Sequence, residues 1–348
     1  MKLSYTCAAG LLLLSLAFDG APATASGEPV AVAWGDPVTV ARGAWGRMAP
    51  VPKSGWLCVV THFATNRPSW LGIYQSTNVC HQWTRLSEVA QPGRKVDNGN
   101  LLALPNGDLL LAGRSLIDGE SYRLPVYRST DAGRTWTSLG NIDSSEGAPG
   151  TLRERGLWEP HLFLLANGKV SVIYSSEKHP GFSQILSQRV SLDHGAMWGD
   201  ETSAVAQPGG GRLRPGMGVP ARMANGKFML VYEIVGIGNG DVHYKVSDDG
   251  LDWPAGLGTP IEGQHCGPFV TSLADGRLLV TSCENQVAMS EDFGASWARL
   301  HPPAWNLGFK FSWPAMYEVG TNRLAVLASR GSVKIRFGDL PPASSSRR

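Results

Sequence analysis

The segment Ser129-Thr-Asp-Ala-Gly-Arg-Thr-Trp136, of the form S-x-D-x-G-x-x-W, indicates how this chain folds. In such a segment the Asp carboxylate accepts backbone N–H bonds of its own turn, Gly takes a positive φ, and Trp packs between layers. The pattern returns at 191–198 and 290–297, one residue shorter at 247–253, and in a degenerate form at 76–83. Recurrence at fairly regular spacing predicts a repeat architecture.

A second repeat alternates with the first. It is a turn followed by an apolar run, such as PNGDLLLAG at 105–113 or ANGKFMLVY at 224–232. Asn-Gly and Asp-Gly between apolar runs are strong signals for two-residue β-hairpins, because both central residues need φ > 0. Further copies stand at 52–60, 166–174 and 274–282, and a weaker one at 320–328.

Six hairpins and five Ser-to-Trp turns predict an all-β chain of six four-stranded blades around a central channel, a six-bladed β-propeller. We expect one propeller domain over residues 26–340, followed by a disordered tail at 341–348. The last blade lacks its own Ser-to-Trp turn, so we expect Val30 to Val40 to supply its outer strand. Closing the ring in this way leaves no long free sheet edge.

The composition agrees with an all-β fold. The chain has 348 residues, 42 glycines and 12 tryptophans, and only 17% of its residues are charged. This is rich in turn formers and aromatics, and poor in the mixture that long helices favour. The net charge of +2 gives no electrostatic reason to expect a nucleic acid or an anionic membrane as partner.

Residues 1–25 have the three parts of a secretory signal peptide. Lys2 supplies the positive charge, residues 8–18 the apolar core, and Ala23-Thr24-Ala25 the cleavage motif. The core is too short to cross about 30 Å of hydrocarbon. We therefore expect cleavage near Ala25 and export to the periplasm or the outside, without membrane insertion.

Four cysteines remain after the signal peptide: Cys58, Cys80, Cys266 and Cys283. An oxidising compartment permits the local disulfides Cys58–Cys80 and Cys266–Cys283, and four free buried thiols are the alternative. No cysteine spacing is typical of a metal site, and the histidines are scattered, so no metal is expected.

Strand order predicts which side chains reach the channel mouth. The first strand of each blade runs from the mouth to the hairpin turn and the second runs back, so strand beginnings and strand ends meet there. This selects a polar set that a blade core would not tolerate unpaired. Its members are Arg47, His62, Asp97, Asn98, Arg114, Glu159, Glu177, Glu233, His265, Glu284 and Arg330, with Trp158, Tyr232 and Trp313 as aromatic faces for sugars.

Two of these glutamates are candidates for catalysis. Glycoside hydrolysis usually needs two carboxyl groups, one with a raised pKa as general acid and one ionised. Glu159 precedes Pro160 at a strand entrance, and Glu233 lies between Val231 and Val235 on an apolar strand face. A carboxyl group in such surroundings is a candidate for a tuned pKa.

These repeats resemble the Asp-box and hairpins of the sialidase-like propellers over nearly all of the mature chain. Within that superfamily, residues 97–115, 157–177 and 218–236 are similar to glycoside hydrolase family 93, the exo-acting α-1,5-L-arabinanases. The resemblance implies a retaining enzyme that releases arabinobiose, needs no cofactor and takes an oligo- or polysaccharide as its partner. It implies Glu159 as acid/base and Glu233 as nucleophile. Arg47, Asn98, Arg114, Glu177 and His265 are our candidates for binding substrate hydroxyls.

Two alternatives stay open. Sialidases resemble one another in an arginine cluster that clamps a carboxylate and in a tyrosine nucleophile opening the sixth blade. Here the first blade opens on Arg47-Met48-Ala49, the fourth and fifth on Gly218 and His265, and the sixth on Phe311-Ser312-Trp313. The other alternative is a propeller that binds carbohydrate without catalysis, because fold does not imply function. No obligate protein partner is inferred.

Overall fold

The computed structural model describes residues 28–52, 54–151, 155–207, 212–284, 286–305 and 312–343. The predicted signal peptide, Phe311 and residues 344–348 lie outside these ranges. The described residues contain no helix, so none that could cross a membrane, and their strands form six sheets.

The first three blades are four-stranded antiparallel sheets in sequence order. Blade 1 contains β4 (Ala44–Val51), β5 (Gly55–His62), β6 (Trp70–Ser76) and β7 (Thr84–Val89). Blade 2 contains β8 (Lys95–Ala103), β9 (Leu109–Ile117), β10 (Ser121–Ser129) and β11 (Thr137–Glu146). Blade 3 contains β12 (Leu157–Leu164), β13 (Val170–Ser176), β14 (Ile185–Val190) and β15 (Thr202–Val205).

The other three blades repeat this plan, with N-terminal strands added to the last two. Blade 4 contains β16 (Arg214–Arg222), β17 (Phe228–Val235), β18 (Asp241–Ser247) and β19 (Thr259–His265). Blade 5 contains β20 (Phe269–Ser272), β21 (Leu278–Thr281), β22 (Val287–Ser290), β23 (Ala298–His301) and β1 (Val30–Ala31). Blade 6 contains β24 (Ser312–Gly320), β25 (Arg323–Ser329), β26 (Ser332–Asp339), β2 (Ala33–Trp34) and β3 (Val38–Arg42).

The six first strands pack against one another in a closed ring, β4 to β8, β12, β16, β20, β24 and back to β4. Each blade therefore presents its first strand to the axis and its fourth strand to the rim. This confirms the predicted six-bladed β-propeller. Apolar side chains of facing sheets fill the spaces between blades, and their removal from water is the main term that holds the ring together.

The N-terminal segment closes the ring as the sequence predicts. β2 and β3 both pair antiparallel with β26, which gives blade 6 its outer strand. The segment also does something that the sequence did not predict, because β1 pairs in parallel with β23 on the edge of blade 5. One stretch of chain thus covers the edges of two blades.

The five Ser-to-Trp segments form related turns between third and fourth strands. In the copy at 129–136, Ser129 Oγ accepts the Gly133 N–H at 2.8 Å, and Asp131 Oδ1 accepts the Thr135 N–H at 2.9 Å. The degenerate copy keeps the first bond, since Cys80 N–H donates to Ser76 Oγ at 3.0 Å. The Trp136 indole N–H donates to Ser87 of the preceding blade and that of Trp253 to Gln188, so these two turns also join neighbouring sheets.

Candidate active site

Each blade has a backbone irregularity at an equivalent position, in or next to its first strand, which faces the central channel. Six residues in or next to the first strands have φ between +49° and +61° and precede Gly or Pro: Trp45, Asn98, Glu159, Met217, Cys266 and Trp313. The strand ladder slips at this point in the five blades where it is described, as in a β-bulge. A left-handed backbone costs a non-glycine residue about 1–2 kcal/mol, and such strain concentrates at functional sites.

Glu159 is the carboxylate of this ring. Its Oε2 accepts hydrogen bonds from Ser175 Oγ at 3.1 Å and from the backbone N–H of Met217 at 3.2 Å. Met217 is the equivalent residue of the next blade, so neighbouring blades meet at this carboxylate. The side chain is partly exposed at the funnel, but protein atoms surround its carboxyl group. Burial, with a smaller contribution from Glu233, raises the pKa of Glu159 to about 7.

Glu233 approaches the same floor from the end of β17. Its Oε2 accepts the backbone N–H of Gly267 at 2.6 Å, and the thiol of Cys266 also donates to the carboxylate. Burial raises the pKa of Glu233, while these two donors oppose the rise because they stabilise the ionised form. Glu233 thus has direct donors to its negative charge.

The two carboxyl groups are neighbours across one glycine. A Cβ atom on Gly216 would lie 3.7 Å from Glu233 Oε1 and 3.7 Å from Ser175 Oγ, the hydroxyl that bonds Glu159. The charge of Glu233 therefore acts on Glu159 and favours its protonated form. The structure thus brings the two predicted catalytic residues together: burial raises the pKa of both, and at Glu233 the Gly267 N–H and the Cys266 thiol oppose that rise.

This arrangement predicts a stability effect of Glu159→Gln that needs no substrate. Below about pH 4.5 the carboxyl is protonated in both states; between about pH 4.5 and 7 only the unfolded chain ionises, so stability falls as the pH rises through the folded pKa. Gln is neutral throughout. At pH 8 the variant should therefore unfold at a higher urea concentration than wild type, with a free energy of unfolding larger by about 2–3 kcal/mol. At pH 4 the two should unfold at the same urea concentration.

Glu262→Gln, at a glutamate whose side chain is 54% exposed, is the matched control and should show no such difference. Equal midpoints of Glu159→Gln and wild type at both pH values would show that Glu159 titrates normally.

Arg47 lies buried in the floor of the channel, where it and Glu159 line one narrow cavity. Its Nη1 donates to the carbonyls of Gly46 at 2.9 Å and Trp313 at 3.1 Å. The guanidinium also lies 4.4 Å from the Trp45 ring centroid, a cation–π contact. Within the described ranges it forms no ion pair with a carboxylate, although Glu159 is among the charges that act on it.

Arg114 is held in one orientation by two neighbours. Its Nε and Nη2 donate to Asp97 at 2.7 and 2.6 Å, and its guanidinium carbon lies 4.1 Å from the Trp158 ring centroid. The Arg114 charge acts on Glu159, where it opposes the rise in the pKa of that carboxyl group. Asn98, the next predicted binding residue, occupies the blade 2 irregularity and is partly exposed to the channel.

The last two predicted binding residues engage protein partners. Glu177 accepts the Gly156 N–H at 2.8 Å and pairs with Arg214, which links blades 3 and 4. His265 Nδ1 lies 2.8 Å from Asp241 Oδ1, and both side chains keep access to solvent. His265 thus offers its second ring nitrogen to a ligand, whereas Glu177 is mainly a brace.

Two of the three predicted aromatic side chains are exposed in the structure, and the third is buried. Trp313 is 38% exposed and packs at 5.8 Å against Trp45, so it lies at the channel as expected. Trp158 is partly exposed beneath Arg114. The expectation for Tyr232 is wrong, because this side chain is fully buried between blades and its hydroxyl donates to the Leu257 carbonyl. Successive side chains of a strand point to opposite faces of the sheet, so Tyr232 points away from the side on which Glu233 lies.

Sequence reasoning missed two polar residues of the floor, Asn100 and His161. Asn100 Oδ1 accepts the Leu162 N–H at 2.9 Å, and its Nδ2 lies 3.5 Å from His161 Nδ1. Burial lowers the pKa of His161 to about 3, so the ring is neutral there. Both residues stand two positions after an irregularity, so the six residue–Gly/Pro pairs were the signal that could have found them.

The four cysteines are free thiols in this structure. Cys58 and Cys80 are buried in the core, and Cys266 and Cys283 are in contact beside Glu233. Within the described part of the chain no three His, Cys, Asp or Glu side chains come together as metal ligands.

Fold and site together define a six-bladed propeller of the sialidase-like fold with a pair of coupled carboxyl groups on its axis. No family model and no curated protein matches the sequence. Among solved structures, the chain is similar to an α-L-arabinanase of Penicillium chrysogenum complexed with arabinobiose, with a TM-score of 0.74 and 22% identity over 88% of this chain and 98% of that one.

A family 93 α-L-arabinofuranosidase of Fusarium graminearum, also complexed with arabinobiose, has a TM-score of 0.73 and 19% identity over the same shares of both chains. A Hadza microbial sialidase has a TM-score of 0.61 and 12% identity over 86% of this chain and 66% of its own. The comparisons thus confirm the sialidase-like propeller fold that the sequence resembles.

Proposed function

We propose that this protein is an exported, retaining exo-glycosidase that acts on α-1,5-linked L-arabinan. The observation that carries the proposal is the pair of Glu159 and Glu233. One carboxyl group has a pKa raised to about 7, and its neighbour has backbone and thiol donors for its charge. This is the division of labour that a double displacement at a glycosidic carbon requires.

In the first step Glu233 attacks the anomeric carbon while Glu159 protonates the leaving oxygen. The bond between carbon and leaving oxygen breaks, and an ester bond to Glu233 forms. Since Glu159 Oε2 accepts the Met217 N–H, its proton is carried by Oε1, for which the described residues provide no hydrogen-bond partner. That proton is therefore available to the substrate.

In the second step Glu159, now ionised, takes a proton from water, and the water oxygen attacks the same carbon from the vacated side. Glu233 leaves as a carboxylate, and the Gly267 N–H donates to the charge that reappears on it. Two displacements at one carbon restore its original configuration.

Two observations support a neutral sugar as substrate. The solved structures that resemble this chain at 22% and 19% identity are complexes with arabinobiose. In addition, Arg114, whose charge acts on Glu159, is held by Asp97 in a bidentate pair. That pair occupies the N–H groups with which an arginine of a sialidase would clamp a substrate carboxylate.

The test is product analysis after incubating the mature protein with linear α-1,5-arabinan, with a sialyl reporter in parallel. We expect arabinobiose as the first product, and in added methanol a methyl arabinobioside of retained configuration by NMR. An inverted first product would exclude the double displacement. Hydrolysis of the sialyl reporter alone would replace arabinan by an acidic sugar, and inactivity on both would favour a binding propeller.

A further inference from the structure

A second depression opens on the mouth face beside the catalytic floor. This blade-2 groove has a volume of about 380 Å³, in the range of about 300–1,000 Å³ typical of small-molecule sites. Its walls come from the loop between β5 and β6, the mouth ends of β8 and β9, and the start of β12. Six of its lining residues matter here: Phe63, Arg67, Lys95, Asp97, Arg114 and Trp158.

Residues of the groove are sequence neighbours of residues in the proposed active site. Trp158, in its inner wall, directly precedes Glu159, and Asp97 directly precedes Asn98. Around the ring the groove lies over blade 2, Glu159 belongs to blade 3, and Glu233 belongs to blade 4. The proton donor therefore stands between the groove and the nucleophile.

The cations of the groove are paired. Arg114 pairs with Asp97 and Lys95 with Asp118 inside the groove, while Arg67 pairs at 3.2 Å with Glu88, which lies outside the lining. An anionic ligand would have to compete with these carboxylates, whereas a neutral ligand rich in hydroxyl groups finds both donors and acceptors already fixed. Bidentate and paired side chains of this kind bind hydroxyls with little loss of freedom.

One wall of the groove is an aromatic side chain without cover. Phe63 is 65% exposed, which leaves most of an apolar ring in water. A sugar ring presents C–H groups on one face and hydroxyls at its edge, so it can cover Phe63 while its hydroxyls reach the paired charges. An aromatic wall together with paired polar groups is the chemistry of a carbohydrate site.

We propose that the blade-2 groove is the leaving-group subsite, which holds the sugar residues on the far side of the cleaved bond. The proposal rests on the proposed function and adds the direction of the bound chain. In a double displacement the acid stands next to the leaving oxygen, and the nucleophile attacks from the opposite face. The chain that leaves must then extend from Glu159 away from Glu233, which is where the groove lies.

The experiment compares two substrates that differ only on the leaving side. Arabinobiosyl fluoride places no sugar in the groove, whereas linear arabino-oligosaccharides of increasing length fill it. Phe63→Ala should lower kcat/KM on the long oligosaccharide about three- to tenfold, as expected for losing one aromatic contact, and leave the fluoride unchanged. Phe63→Tyr should restore the wild-type value.

Phe293→Ala is the matched control, because Phe293 is 40% exposed in the Ser-to-Trp turn at 290–297, away from the mouth. Equal loss on both substrates, or an unchanged gain with length in Phe63→Ala, would overturn the subsite while leaving an active enzyme. A wild type that hydrolyses neither substrate would instead overturn the proposed function, and this subsite with it.

Discussion

Glu233→Ala is expected to lower kcat/KM on arabinan by about 10⁴- to 10⁶-fold, the range for removing a catalytic nucleophile. In the proposed mechanism the Glu233 carboxylate forms the covalent intermediate, so the variant lacks the group that attacks the anomeric carbon. Glu159 cannot replace it, since its Oε2 is held by Ser175 and Met217. The loss should fall on kcat for fluoride and polysaccharide substrates alike, because both need the first displacement.

The measurement is activity with and without sodium azide. Azide fits the space left by the carboxylate and attacks the anomeric carbon once, so the expected product is a glycosyl azide of inverted configuration. Glu262→Ala on the surface is the control for expression and folding, and thermal melting should show that Glu233→Ala remains folded. More than a tenth of wild-type activity in Glu233→Ala would remove this residue from the nucleophile role.

The repeat architecture was predictable because its determinants are local. In the turn at 129–136, the side chains of Ser129 and Asp131 bond only within the segment: to backbone N–H groups, to each other and to the Thr135 hydroxyl. These bonds depend only on residues of the segment, so the same kind of turn forms wherever the segment recurs. The hairpin turns are local in the same sense, and together they fix the strand order that brings Glu159 and Glu233 to one mouth.

The geometry of the floor was not predictable in the same way. A left-handed backbone at Trp45, Glu159 or Met217 opposes local preference and is maintained by the contacts between six first strands. The partners of Glu177 and His265 are likewise tertiary, since Arg214 and Asp241 come from other strands. The sequence could therefore place these side chains at the mouth, but it could not show which of them bonds to protein groups and which is available to a substrate.

Glu159→Gln is expected to separate substrates by their leaving groups. On arabinan, whose leaving alkoxide needs a proton, kcat/KM should fall about 10²- to 10⁴-fold, the usual worth of general acid catalysis. On arabinobiosyl fluoride, which leaves without protonation, kcat/KM should stay close to wild type. Azide should accelerate the second step and give a glycosyl azide of retained configuration, the opposite of the Glu233→Ala product.

The pH profile of the same pair of proteins tests the assignment independently. Wild-type kcat/KM on arabinan should fall as the pH rises above about 7, because Glu159 then loses the proton that it must donate. Glu159→Gln has no proton to lose, so its residual activity should not fall on that side. The acidic side should persist in both, since Glu233 must be ionised to attack. If the alkaline fall survived in Glu159→Gln, another group would be the acid, and the raised pKa of Glu159 would have no catalytic role.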